Sequence, residues 1–156
     1  MITHNLTQGT PEWHAFRATH MTASDAPAMM GVCPHKTRSQ LLREKATGVV
    51  PEVSPHQQRI FDQGHRFEAL ARPIAEKMAG VELFPAVGSS GVFSASFDGI
   101  DLLEEVIFEH KTLNATLKNL AGSDPLPMHY QVQVQHQMMV SGADSCLFMA
   151  TAWDDK

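Results

Sequence analysis

Cysteine is scarce in this 156-residue chain. Cys33 and Cys146 stand far apart, and no CxxC pair exists. That argues against a disulfide framework and a four-cysteine zinc site, and makes a reducing cytoplasm the expected compartment. Long apolar runs are missing too. Nothing approaches the ~18 consecutive apolar residues of a membrane span, so no membrane partner is expected. MITHNLTQGTPEW at the N-terminus lacks a basic flank and an apolar run, so no signal peptide is read there. Repeats and low-complexity tracts are absent. What is present is globular: 43% hydrophobic and 19% charged residues, in a length that suits one domain. A net charge of -5 argues against a protein that coats nucleic acid.

The charge is unevenly placed. Residues 1–80 carry nine Lys/Arg against seven Asp/Glu, and residues 81–156 carry three against ten. One reading is two ordinary solvated faces. The sharper one is a polyanion-contacting half joined to a carboxylate-rich half able to hold metal ions.

Local patterns divide the chain in the same way. Thr37 and Gln40 form a capping-box pattern that starts a helix to Ala46, with Gly48 as its stop. Ser54, Pro55 and Gln57 start a long helix that Gly80 ends, with a kink or break expected at Pro73. Its apolar stripe reads Ile60, Phe67, Leu70, Ala71, Ile74 and Met78. From Val81 the period shortens. VELF, GVFSASF and LLEEVIFEHK read as strands, with DGID a turn between the last two. LNATLKNLAG reads as a helix, SDPLP as a loop, 127–140 as a helix and CLFMATAW as a closing strand. The expected fold class is α/β (α+β): a small mixed central sheet flanked by helices. It forms one domain over 1–156, with a helical part over 1–80 and a sheet-bearing part over 81–156.

One constellation carries chemistry. On a strand, Glu109 and Lys111 share a face and His110 points away. Asp98, read as ending the preceding strand, comes alongside through a hairpin. Asp and Glu oxygens suit Mg²⁺, and a lysine beside a bound water orients it and stabilises growing negative charge. A solvated ion pair is the alternative for Glu109 and Lys111. Glu68 falls about 80° around its helix from Ile60, on the rim of the core-facing stripe, where it wants a cation. Gly64 leaves room there for a close approach. Arg72 four residues on is the competing partner. Nine histidines are scattered, and Cys33 has no nearby base, so a histidine-zinc site and a thiol nucleophile are disfavoured.

The series Glu68, Asp98, Glu109-His110-Lys111 resembles the PD-(D/E)xK nuclease superfamily. More closely, the chain resembles its YqaJ-like viral recombinase and lambda exonuclease branch. The segments carrying the likeness are WHAFRATHMTASDAPAMMG, GHRFEALA, SFDG, EHK and YQVQVQHQMMVSG. The resemblance implies a restriction-endonuclease-like core and Mg²⁺ (or Mn²⁺) held by Asp98, Glu109, the His110 main-chain carbonyl and Glu68. It also implies that Lys111 acts on the nucleophilic water and that Gln133 projects toward the centre, with Gln131 and Gln135 competing for that place. Arg17, Ser24 and Ser96 match a pocket for a 5′-phosphate, aided by a helix starting after Asp25. Plain N-capping is the alternative for Ser24, and a surface charge over Trp13 for Arg17.

The implied activity is 5′→3′ digestion of one strand at double-stranded DNA ends in phage-type recombination. The implied partners are a single-strand annealing protein and a homotrimeric ring. An endonuclease of the same superfamily and a catalytically inactive DNA-binding protein are the competing readings. His110 departs from the usual aliphatic residue, and Phe97 stands where proline is common. The sequence stops soon after its last expected strand, where relatives commonly continue with further helices, so the chain is expected to be either a compact member or one whose C-terminal piece is absent.

Overall fold

Two helices begin where the capping boxes place them. The computed structural model describes residues 1–120 and 125–153. The described elements run β1 (Ile2–His4), α1 (Pro11–Ala18), β2 (Met21–Thr22), α2 (Ala26–Met29), α3 (Arg38–Thr47) and α4 (Pro55–Ala79). They continue with β3 (Phe84–Ser90), β4 (Phe93–Ile100), β5 (Val106–Thr112), α5 (Ala115–Lys118), α6 (Met128–Ser141) and β6 (Ser145–Thr151). Thr37 with Gln40, and Ser54 with Gln57, each close a reciprocal box. Gly48 and Gly80 end their helices at positive φ, a conformation that costs glycine nothing. Helix α4 runs through Pro73 without a break. Of the expected helix at LNATLKNLAG only the turn α5 forms among the described residues; Ala121, Gly122, Ser123 and Asp124 lie outside them, as do the last three residues.

The sheet is six-stranded and mixed, ordered β1-β3-β4-β5-β6, with β2 pairing β4 off that path. The part read as helical therefore also supplies β1 and β2. The pairs β1/β3, β3/β4 and β4/β5 are antiparallel, while β2/β4 and β5/β6 are parallel. Side-chain alternation along β5 separates two helical layers. Ile107 packs with Phe97 and Val140, on the α6 face. Phe108 packs with Leu83, Ala71 and Ala75, on the α4 face.

The buried face of α4 is narrower than its sequence suggests. Phe67, Ala71 and Ala75 are buried, whereas Ile60, Leu70, Ile74 and Met78 are exposed. Small alanines let the helix approach the sheet closely, and the larger side chains stay at the margins. Gly64 is not required by crowding, since a Cβ there meets only Thr112 Oγ1 at 3.8 Å.

The turn between β4 and β5 also differs from expectation. Asp98 and Gly99 lie within β4, and Asp101 makes the turn instead. Its carboxylate accepts the N–H groups of Leu103, Glu105 and Val106. A buried aspartate that satisfies three backbone donors fixes a turn better than an Asp-Gly pair alone. Between Phe97 and Ile100, β4 advances three residues while β3 advances two, from Ala86 to Phe84. That extra residue is a bulge at Asp98-Gly99. Gly99 is crowded: a Cβ would lie 2.9 Å from Leu83 Cβ and 3.3 Å from Phe108 Cβ. Gly99→Ala is therefore expected to destabilise the fold by about 1–3 kcal/mol, measured by urea denaturation. Gly64→Ala serves as the contrasting control, expected to stabilise by up to about 1 kcal/mol because it fills open space inside a helix.

Candidate active site

Strand β4 has one edge fully occupied and one interrupted. β3 lines the first. Along the second, β2 pairs only Phe93 and Ser94, and β5 pairs only Gly99 and Ile100. Residues Ala95 to Asp98 lie between, without a strand partner on that side. Side chains from both helical layers satisfy this stretch. Gln137 of α6 donates to the Ser96 carbonyl at 3.2 Å, and Arg72 of α4 donates to the Asp98 carbonyl at 2.9 Å. The interruption opens into a cavity of about 1130 Å³.

Asp98, Glu109 and Lys111 meet there. Beyond the Gly99–Phe108 pair the ladder stops, and the Asp98 side chain takes the place of a backbone acceptor. Its Oδ2 receives the His110 N–H at 2.7 Å. Glu109 is buried (2% exposed) and fully engaged. Its Oε1 accepts from the Lys111 ammonium and from Gln133 Nε2 at 2.7 Å. Its Oε2 accepts from Gln137 Nε2 at 2.6 Å. Of the competing glutamines, Gln131 donates to the Leu126 carbonyl and Gln135 is exposed, so Gln133 is the one that reaches the centre. Gln137 escaped the sequence reading. The signal for it was the four-residue spacing from Gln133, which puts both amides on one helix face.

Charge is concentrated here. Burial pushes the Asp98 carboxyl well above the usual range, and the nearby Glu109 and Glu68 push it the same way. Burial alone would pull the Lys111 ammonium down, but Glu109 and Asp98 more than offset it and hold its pKa above normal. Lys111 is thus a firm cation at neutral pH. Glu68 stands on the α4 side, lining the same cavity. Burial raises its pKa, against the opposing pull of Arg72, with which it forms an ion pair. The competing partner weighed for Glu68 is therefore present, and Arg72 uses its second arm on β4. His110 points away, as its strand position requires. Its Nε2 meets Thr151 Oγ1 at 2.7 Å, and burial and Lys111 lower its pKa to about 4. It adds no charge at pH 7.

The same cavity is lined by Arg17, Ser24 and Ser96. Arg17 lies over the Trp13 ring at 4.4 Å and donates to Ser24 Oγ at 2.9 Å. Ser96 Oγ accepts from Trp13 Nε1 at 2.9 Å, which leaves its own proton free. The helix expected after Asp25 is only the four residues of α2, and Asp25 itself occupies its start. Lys45 of α3 holds that carboxylate at 3.1 Å and donates to the carbonyls of Arg17 and His20. Burial would raise the Asp25 pKa, but Lys45, Thr22 and Arg17 bring it below the usual range.

A hard divalent cation fits the donor set. No cluster of three or more His, Cys, Asp or Glu forms a cage among the described residues. Two carboxylates beside an open cavity suit an ion that keeps several waters, as Mg²⁺ does. The repulsion that raises the Asp98 carboxyl is what such an ion relieves.

The fold has known counterparts. The YqaJ-like viral recombinase domain model matches residues 12–144. The crystal structure of LHK-Exo in complex with dAMP aligns with a TM-score of 0.69 and 25% identity, over 94% of this chain and 75% of that one. The alkaline exonuclease LHK-Exo from Laribacter hongkongensis aligns at 0.68 and 26%, over the same shares. Comparison with curated proteins gives no match.

A raised Asp98 pKa has a stability consequence. A carboxyl held above its unfolded value binds more protons in the folded state, so its cost develops as pH rises past the unfolded value of about 4. Asp98→Asn is expected to raise the melting temperature of the metal-free protein at pH 7. The gain should shrink as pH falls toward about 4, and Mg²⁺ should no longer raise the melting temperature of the variant. Melts across pH, with and without Mg²⁺, check all three outcomes.

Proposed function

From the premise that the chain belongs to the YqaJ-like viral recombinase family, we propose that it is a Mg²⁺-dependent 5′→3′ exonuclease acting on double-stranded DNA ends. The single observation that supports this most is the shared cavity. The carboxylates and lysine of β4 and β5 line it together with Arg17, Ser24 and Ser96. LHK-Exo, the relative crystallised with dAMP, supports a DNA substrate.

Each residue then has a physical task. The Arg17 fork, braced on Trp13, faces a terminal phosphate, with the Ser24 and Ser96 hydroxyls beside it. Asp98, Glu109, the His110 carbonyl and Glu68 are the groups that would hold the ion. A bound Mg²⁺ polarises the scissile phosphate and acidifies a water. Lys111, fixed as an ammonium, donates rather than abstracts: it orients the attacking water and opposes the charge that builds on the phosphate. Gln133 and Gln137 hold Glu109. Hydrolysis breaks the bond from phosphorus to the 3′-oxygen. The released nucleotide carries its own 5′-phosphate, and the attacked phosphate stays on the shortened strand. Each turnover thus regenerates the end that the pocket binds. Digestion leaves a 3′ single strand, the substrate of an annealing partner, and a homotrimer around the duplex belongs to the same reading.

The test uses linear duplexes with 5′-phosphate or 5′-hydroxyl ends and a covalently closed circle, each with and without Mg²⁺. Degradation of the 5′-phosphorylated duplex in Mg²⁺, with the circle untouched, is expected. Cutting of the circle sinks the exonuclease reading in favour of an endonuclease. Lys111→Ala should lower the rate by at least about 10²–10³-fold while DNA is still bound. Arg17→Ala should erase the preference for the 5′-phosphate, and a variant that keeps it removes Arg17 from the pocket.

A further inference from the structure

Gln137 is 1% exposed, and its position is hard to explain by packing. Its amide nitrogen donates to two acceptors, Glu109 Oε2 on β5 and the Ser96 carbonyl on β4. Its amide oxygen is buried without a partner among the described residues. Turning the amide over does not help, because the oxygen would then face a carboxylate and a carbonyl. The orphan is therefore inherent to a glutamine here, and it carries the desolvation cost of an unpaired amide oxygen. Methionine has nearly the same length and volume and would fill the space with no polar atom to satisfy. It would also leave Glu109 Oε2 and the Ser96 carbonyl without the donor they share.

We infer that Gln137 is a positioning residue for Glu109, and that it spans the gap in the sheet to do so. Its two bonds tie β4 to β5 where the strands have already separated. They also divide the labour of the carboxylate: Gln137 holds Oε2, while Lys111 and Gln133 share Oε1. A carboxylate held at both oxygens cannot rotate, so its orientation toward the cavity is set before a ligand arrives. The inference rests on Glu109 serving as a ligand of the divalent ion, as proposed above.

Three measurements on the full chain, Gln137→Met and Gln137→Leu test it. They are metal-free melting temperature, Mg²⁺ binding by calorimetry without DNA, and steady-state kinetics on a 5′-phosphorylated duplex. Expected are a cooperative metal-free melt in at least the methionine variant, Mg²⁺ affinity weakened by about tenfold or more, and a fall in kcat with KM for DNA ends unchanged. Wild-type Mg²⁺ affinity and kcat in a folded variant overturn the inference. So does the loss of a cooperative metal-free melt in both variants, which makes Gln137 a packing residue. If the wild-type chain itself binds no Mg²⁺, the reading of Glu109 as a ligand fails first and takes this inference with it, an outcome read from the wild-type trace alone.

Discussion

The interrupted edge of β4 is the constraint from which the rest of the site follows. A backbone edge inside a protein must find partners, because unpaired N–H and C=O groups are costly to bury. Here the partners are side chains. Asp98 accepts from the β5 backbone, Gln137 and Arg72 donate to β4 carbonyls, and each arrives from a different element. The gap thus draws the two helical layers to one place. A continuous ladder between β4 and β5 would keep α4 and α6 on opposite sides of a sealed sheet, and Glu68 and Gln133 would line separate surfaces.

The same gap explains how so much negative charge is tolerated. Glu109 is nearly inaccessible, yet three donors meet it at close range, the amides of Gln133 and Gln137 and the Lys111 ammonium. Asp98 is less well compensated, and its raised pKa is the residue of that imbalance. Overall net charge is a poor guide to nucleic-acid chemistry in such a chain. A patch of acid that concentrates a divalent cation presents phosphate with a positive centre.

Much of this was legible in the sequence, and the parts that were not share a cause. The capping boxes, the glycine stops and the alternation that puts Glu109 and Lys111 together are local, and local rules hold. The set Asp98, Glu109, Lys111, Glu68 and Gln133 lines one cavity as its pattern implies. Asp98 was misplaced at a turn because a bulge depends on the neighbouring strand's register, which no short window contains. The stripe on α4 was drawn too wide because its width is set by how closely Ala71 and Ala75 let the sheet approach. Gln137 was passed over because its spacing from Gln133 marks a shared helix face but not the Glu109 carboxylate that the face meets.

Lys45 has three donors, and the structure gives each one an acceptor: Asp25 and the carbonyls of Arg17 and His20. It therefore behaves as a rivet between α3 and the segment that bears Arg17 and Ser24, not as a spare charge for a polyanion. The loss of motional freedom in that segment is settled when the chain folds. Under the proposed function, an incoming phosphate would meet a seat already at rest, and the entropy of holding the seat still would not be subtracted from its binding.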